Sequence, residues 1–183
     1  MDAKDDVRRI IDALHEKNPG EKVHSQRITS ICLQIGGALQ LLPEDLAKLG
    51  RAAYVHDIGK VLMEDTGLKR SVPLTPEQWD EKREHPQVGY DLLAAYGEPQ
   101  EILEAALHHH ENWNGTGYPD RLEGAGIPLF ARIIAVAEYA DALTMHSERL
   151  ADVDDNVAGR MREQAGMRLD PILVEKYLSA NMR

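Results

Sequence analysis

Six of the eight histidines in this chain stand in acidic company. His56 is followed directly by Asp57. His24 lies upstream and His85 downstream, and His108, His109 and His110 run straight into Glu111. Neutral imidazole together with carboxylate suits divalent transition metals: iron, manganese, cobalt, nickel or zinc. The single cysteine, Cys32, cannot build a multi-thiolate zinc site. Neighbouring residues on a helix point about 100° apart, so a histidine doublet cannot face one interior point from an ideal helix. At a helix end it can straddle two ions, which points to a dinuclear centre. His15 and His146 sit at helix ends among charged residues and read as surface positions.

Such ligands need helices to position them, and the apolar residues recur at the helical period. Val7, Ile10, Ile11 and Leu14 form one stripe, stopped by Asn18-Pro19-Gly20. Ile28, Ile31, Ile35 and Leu39 form the next. Pro43-Glu44-Asp45 opens a third helix with Leu46, Leu49 and Ala53 on one side, ending near His56-Asp57-Ile58-Gly59. Residues 61–75 read as loop. Thr75-Pro76-Glu77-Gln78 has the pattern of a capped helix start; that helix is expected to run to about His85, with a bend or restart at Pro86. A helix from about Pro99 carries Leu103, Ala106 and Leu107 and delivers the histidines at its C-terminal end. Residues 112–127 read as loop, 129–143 as the most apolar helix, and 153–165 and 171–180 as two weaker ones. No stretch alternates at period two. The expectation is an all-α chain, a compact helical bundle, with one domain over 1–183, a core from about 18 to 178 and an N-terminal helix over 1–17.

Bulk properties narrow the function. The chain has 183 residues, 43% hydrophobic and 28% charged, as in an ordinary water-soluble domain. Net charge is −10, which disfavours DNA as a partner. The first twenty residues lack the apolar run of a signal peptide, and no apolar run approaches a membrane span of roughly 20 residues. With no disulfide possible, the reading is a cytoplasmic protein without membrane association.

The motifs, taken in order, resemble the HD-GYP family of the HD phosphohydrolase superfamily. They are His56-Asp57-Ile58-Gly59-Lys60, LTPEQW at 74–79, His85-Pro86 with Gly89, HHENWNGTGYP at 109–119, IPLFARIIAVAEYADALT at 127–144 and LDP at 169–171. The resemblance implies an HD-type helical bundle with a GYP loop, and hydrolysis of cyclic di-GMP to the linear dinucleotide or GMP by a hydroxide activated between two metals, iron or manganese foremost. It implies His24, His56, Asp57, His85, His109 and His110 as ligands, with Asp57 bridging. The family's last ligand is an aspartate; here that position is Glu138, kept as a ligand. Three-metal members add a glutamate one turn before the first histidine. Gly20 holds that position, and Glu21, three residues before His24, is the candidate for a third metal. Two metals are the expectation.

By the same resemblance Lys60 grips a phosphate oxygen and Asp141 pairs with Lys60 to orient it. Gly115 and Gly117 permit the loop's turns, Pro119 stiffens its exit, Tyr118 faces substrate, and Glu111 fixes a histidine ring. His108 is the end of the preceding helix rather than a ligand. The chain also departs from the family. The Arg-Pro-Tyr-Arg stretch that follows DALT is absent: Ser147 and Leu150 stand in its arginine positions, and Arg149 is the nearest replacement. Asn114 replaces an aspartate, and Arg70 lies where a lysine-proline pair is usual. These departures keep two other functions open. One is a weakened module that senses cyclic di-GMP or binds a protein; the other is a phosphohydrolase for a different nucleotide. Implied partners are diguanylate-cyclase, receiver or sensory domains, and a homodimer is a candidate assembly.

Overall fold

A computed structural model describes residues 3–63, 75–149 and 157–181, with the side chains of 3–5 and 146–149 outside that description. The described residues fold into α1 (Ala3–Lys17), α2 (Pro19–Ala38), α3 (Pro43–Val55), α4 (Pro76–Lys82), α5 (His85–Ala95), α6 (Gln100–His108), α7 (Leu129–Arg149), α8 (Val157–Gln164) and α9 (Pro171–Asn181). A 3₁₀ turn, Ile58–Leu62, continues α3 past His56-Asp57. No strand occurs among them, so the fold is all-α. No helix among them is long and apolar enough to cross a membrane.

Local chemistry sets the starts. The Asn18 side chain accepts from the Gly20 amide at 3.2 Å ahead of α2. Thr75 and Gln78 form a reciprocal capping box on α4. Asp170 Oδ1 accepts from the amides of Ile172 and Leu173 to open α9, while its other oxygen takes Arg132 of α7 at 2.6 Å. The core gathers Ile28 and Ile35 of α2, Leu49 of α3, Leu93 of α5, Ile133 and Ile134 of α7 and Leu173 of α9. Val7, Ile11 and Leu14 join it, so α1 packs into the same core.

Two expectations change. The restart expected at Pro86 is present, but α4 ends at Lys82 rather than near His85, and 87–95 is helical rather than unassigned. Pro86 lacks an N–H and fits only a first helical turn, so the chain restarts at His85. His15 is not a surface residue: it is 6% exposed and stands edge-on to Tyr54 at 5.5 Å between centroids. Burial lowers its pKa.

One close approach fixes the bundle at the HD motif. A Cβ added to Gly59 would lie 2.1 Å from the His85 carbonyl oxygen and 2.7 Å from the Gly89 amide nitrogen. The 3₁₀ turn therefore touches α5 backbone to backbone. Gly59→Ala is expected to lower the melting temperature by roughly 5–12 °C, corresponding to about 2–4 kcal/mol of overpacking strain. Gly37→Ala is the control, since a Cβ there meets nothing within 4 Å; it should hold or raise stability. Equal melting temperatures for the two variants, read by circular dichroism, would remove Gly59 from this role.

Candidate metal centre

The site is built where helices end. His56 follows the last residue of α3, His85 opens α5 directly after α4, and His109 and His110 follow α6. Each of the first three finds the carbonyl three residues back: His56 Nδ1 lies 2.8 Å from Ala53 O, His85 Nδ1 2.6 Å from Lys82 O, and His109 Nδ1 2.8 Å from Ala106 O. A carbonyl can only accept, so Nδ1 carries a proton and Nε2 is the nitrogen turned to the centre.

Ligand atoms converge in two groups, one of His85, His109 and His110 and the other of His24, His56, Asp57 and Glu138. Asp57 stands between them. Its Oδ1 is 3.2 Å from His85 Nε2 and 3.7 Å from His109 Nε2. Its Oδ2 is 3.1 Å from His56 Nε2 and 3.9 Å from His24 Nε2. One carboxylate thus serves both groups, one oxygen to each.

The donors fit metal ions on physical grounds. His85 Nε2 lies 3.3 Å from His109 Nε2 and 3.2 Å from His110 Nε2. With Nδ1 protonated on His85 and His109, two lone pairs face each other, a repulsive arrangement that a cation between them resolves. In the second group His56 Nε2 and Glu138 Oε1 are buried 3.2 Å apart, yet neither makes a well-aligned hydrogen bond. Glu138 Oε1 also stands 2.7 Å from His24 Nε2.

Electrostatics follow from burial and neighbours. Burial opposes a charge on His56, but Asp57 and Glu138 outweigh it and raise its pKa to about 10. His24 is raised as well: burial opposes and Glu138 and Asp57 prevail. Asp57 and Glu138 are held well below the usual carboxylate range. In both cases burial works the other way and cationic neighbours win, Lys60 and His56 for Asp57 and His24 and His56 for Glu138. Burial and His85 push His110 down to about 3, and burial lowers His109 too.

Around this centre some expected partners differ. Lys60 Nζ is 2.5 Å from Asp57 Oδ2 and 3.4 Å from Glu21 Oε1, so its partners are Asp57 and Glu21, not Asp141. Asp141 instead accepts from His24 Nδ1 at 3.1 Å and takes Arg27 through both oxygens, at 2.5 and 2.9 Å. Lys60 sits three residues after Asp57 on the 3₁₀ turn, whereas Asp141 follows Glu138 by one turn of α7 and faces α2. Glu111 does not hold a histidine: its Oε1 accepts from the Asp120 amide at 2.7 Å. Glu21 faces Lys60, outside both groups. His108 closes α6 and pairs with Asp120 at 2.9 Å. The side chain of Arg149, and Arg70 altogether, lie outside the described residues.

The loop after His110 folds back on it. A Cβ on Gly117 would meet the Asn112 amide nitrogen at 2.3 Å and the His110 carbonyl at 2.6 Å, while Gly115 takes φ +74°. Asn114 accepts from the Thr116 amide and hydroxyl. The Tyr118 ring then stacks on His110 at 4.9 Å, ahead of a cis bond to Pro119. Arg27 was missed in the sequence. Its signal is the three-residue spacing from His24, which puts both on one face of α2.

This helix-end arrangement has counterparts. The HD-domain family model matches residues 8–173. The chain belongs to the HD-domain family. Its ordered HD, His-His and GYP motifs place it in the HD-GYP branch. It is 31% identical over 180 residues to "Cyclic di-GMP phosphodiesterase response regulator RpfG" of Xanthomonas campestris, covering 96% of this chain and 47% of the relative. It is 30% identical over 179 residues to "3'3'-cGAMP-specific phosphodiesterase 2" of Vibrio cholerae, covering 96% and 34%. The chain spans half or less of these relatives. Solved HDGYP protein Bd1817 of Bdellovibrio bacteriovorus superposes with TM-score 0.71 at 18% identity, over 89% of this chain and 53% of that one. The PgpH HD domain of Listeria monocytogenes, solved with cyclic di-AMP, gives 0.67 at 17%, over 94% and 92%. These two share the fold.

Two outcomes are expected of this HD domain. Because His56 is protonated at neutral pH in the metal-free site and its lone pair is needed for a metal, loading with Mn²⁺ at pH 7 should release protons. Apparent affinity should rise from pH 6.5 to 8.5. Calorimetric heats that do not depend on buffer ionisation enthalpy would contradict this. Second, Asp141→Asn and Arg27→Gln should each lower metal affinity roughly 10–100-fold by freeing His24 to turn. Chelator competition reads this; wild-type affinity in both variants would sink it.

Proposed function

We propose that this chain is a metal-dependent phosphodiesterase that hydrolyses cyclic di-GMP to the linear dinucleotide or GMP. The observation that carries the reading is the division of the Asp57 carboxylate, one oxygen to each lone-pair cluster. Supporting it are the printed names of the relatives above. The proposed ligands are His24, His56, Asp57 and Glu138 for one cation, and Asp57, His85, His109 and His110 for the other, with iron or manganese favoured over nickel, cobalt or zinc. Two cations held by these residues would supply Lewis-acid activation of water and of a phosphodiester.

The protein's own residues do the rest. Nδ1 bonds to helix-end carbonyls lock three rings with Nε2 inward. Asp141, clamped by Arg27, does the same for His24. Tyr118 holds His110 by stacking. Lys60 is 24% exposed in its side chain and anchored on Asp57 and Glu21, so its ammonium borders the centre with charge to offer a phosphate oxygen. Glu21 anchors that ammonium in this reading rather than holding a third metal. A single domain of this kind suits fusion or association with diguanylate-cyclase, receiver or sensory partners.

One sequence feature favours a second reading. The missing arginines after Thr144 suit a module that keeps its metals and binds cyclic di-GMP without turnover, or acts on another phosphoester. Anaerobic reconstitution with Fe²⁺ or Mn²⁺, followed by chromatography of a cyclic di-GMP digest, separates the readings. The expected result is linear dinucleotide or GMP, lost in His56→Ala/Asp57→Ala and slowed about 10²–10³-fold in Lys60→Met. Metal-loaded protein that yields no product excludes the first reading, and a panel of nucleotides and phosphoesters then tests the second.

A further inference from the structure

Glu138 belongs to two places at once. It stands in the cluster with His24, His56 and Asp57, and it lines a cavity of about 330 Å³ with Tyr139, Ala142, Leu143, Arg160 and Arg168. The cavity therefore adjoins the metal centre through Glu138, and its volume falls within the range of ligand pockets, ~300–1,000 Å³. Arg160 comes from α8 and Arg168 from the turn before α9. That turn is fixed against the GYP loop: the Arg168 and Met167 carbonyls accept from the amides of Trp113 and Asn114 at 3.1 and 2.9 Å. The Arg168 guanidinium lies 5.6 Å from the Tyr139 ring centroid.

Both arginines are exposed, and neither forms an ion pair among the described residues. Other arginines do: Arg27 with Asp141, Arg51 with Glu98, Arg132 with Asp170 and Arg162 with Glu175. In a chain of net charge −10, two guanidiniums in one cavity with no ion pair among the described residues are positive charge available to an anion. Guanidinium binds phosphate through parallel N–H donors. A cavity with the proposed ligand Glu138 at one wall and two arginines at another fits a molecule with two separated anionic groups, one of them at the metal centre. A cyclic dinucleotide carries two phosphodiesters. We propose that Arg160 and Arg168 seat the phosphate that is not being cleaved and so select substrates with a second phosphate. This assigns the phosphate grip to the C-terminal helices rather than to Arg149. The inference rests on the phosphodiesterase reading above.

The test uses the metal-loaded full chain with cyclic di-GMP and with bis(p-nitrophenyl) phosphate, a phosphodiester lacking a second phosphate. In Arg160→Gln/Arg168→Gln the ratio of kcat/KM for cyclic di-GMP to that for the single diester should fall roughly 10–100-fold. KM should carry most of the change, and metal content should stay at the wild-type level. Arg160→Lys/Arg168→Lys should recover part of the loss. An unchanged ratio overturns the proposal. If the wild type binds cyclic di-GMP without cleaving it, the phosphodiesterase reading fails but the arginines are still decided. A roughly 10–100-fold higher Kd in the glutamine variant sustains their role, and an equal Kd removes it. A wild type that neither binds nor cleaves the dinucleotide ends both.

Discussion

A single buried carboxylate divided between two imidazole clusters is the constraint around which this molecule is arranged. Asp57 is 4% exposed, and a charge so deep is costly unless paired. Lys60 and His56 supply part of the pairing at 2.5 and 3.1 Å, and His85 approaches the other oxygen. To satisfy both oxygens, His24 of α2, His85 of α5 and the residues that follow α3 and α6 must meet at one point. Gly59 makes that meeting possible. With no Cβ, it lets the turn after Asp57 press on the α5 backbone, which brings His85 to Oδ1 while His56 stays at Oδ2.

The histidines at this point share a device. The last carbonyls of a helix have no amide of their own helix to accept from. His56, His85 and His109 each donate Nδ1–H to such a carbonyl, at the ends of α3, α4 and α6. The helix end gains a capping donor and the ring loses its tautomeric freedom. Three helix C-termini meeting there also place the negative ends of their dipoles near the centre, which favours cations. His24 sits mid-helix and has no orphan carbonyl to use. Asp141 replaces the carbonyl, and Arg27 holds Asp141. The exception follows from the rule.

This explains what the sequence reveals and what it hides. Helix-end histidines beside carboxylates are local patterns, readable along the chain, and so is the all-α periodicity. The expectation that Asp141 would hold Lys60 fails because ion-pair partners are chosen by packing across long separations. Arg27 and Asp141 are 114 residues apart, and no local period encodes that choice. Glu111 is similar: adjacency to His110 suggested a ring partner, but the loop returns and offers the Asp120 amide. His15 looked polar because its neighbours are charged; its burial follows from lying four residues past buried Ile11, on the same face of α1. The split at Pro86 was visible as a break, but the helix beyond it has only Leu93 as a fully buried apolar side chain, so no clear stripe announces it.

Charge gives the last step. In the metal-free centre the carboxylates of Glu21, Asp57, Glu138 and Asp141 surround Lys60, Arg27 and the protonated His56, within a chain that is acidic overall. A phosphodiester approaching that site gains little. On the proposed reading, filling it with two divalent cations expels protons from histidine but adds more positive charge than it removes. The centre would then attract what it previously did not, and the guanidiniums of Arg160 and Arg168, which form no ion pair among the described residues, would extend the attraction into the cavity that Glu138 also lines. On that reading the carboxylates that would hold the cations also repel a phosphate, so metal would bind before substrate.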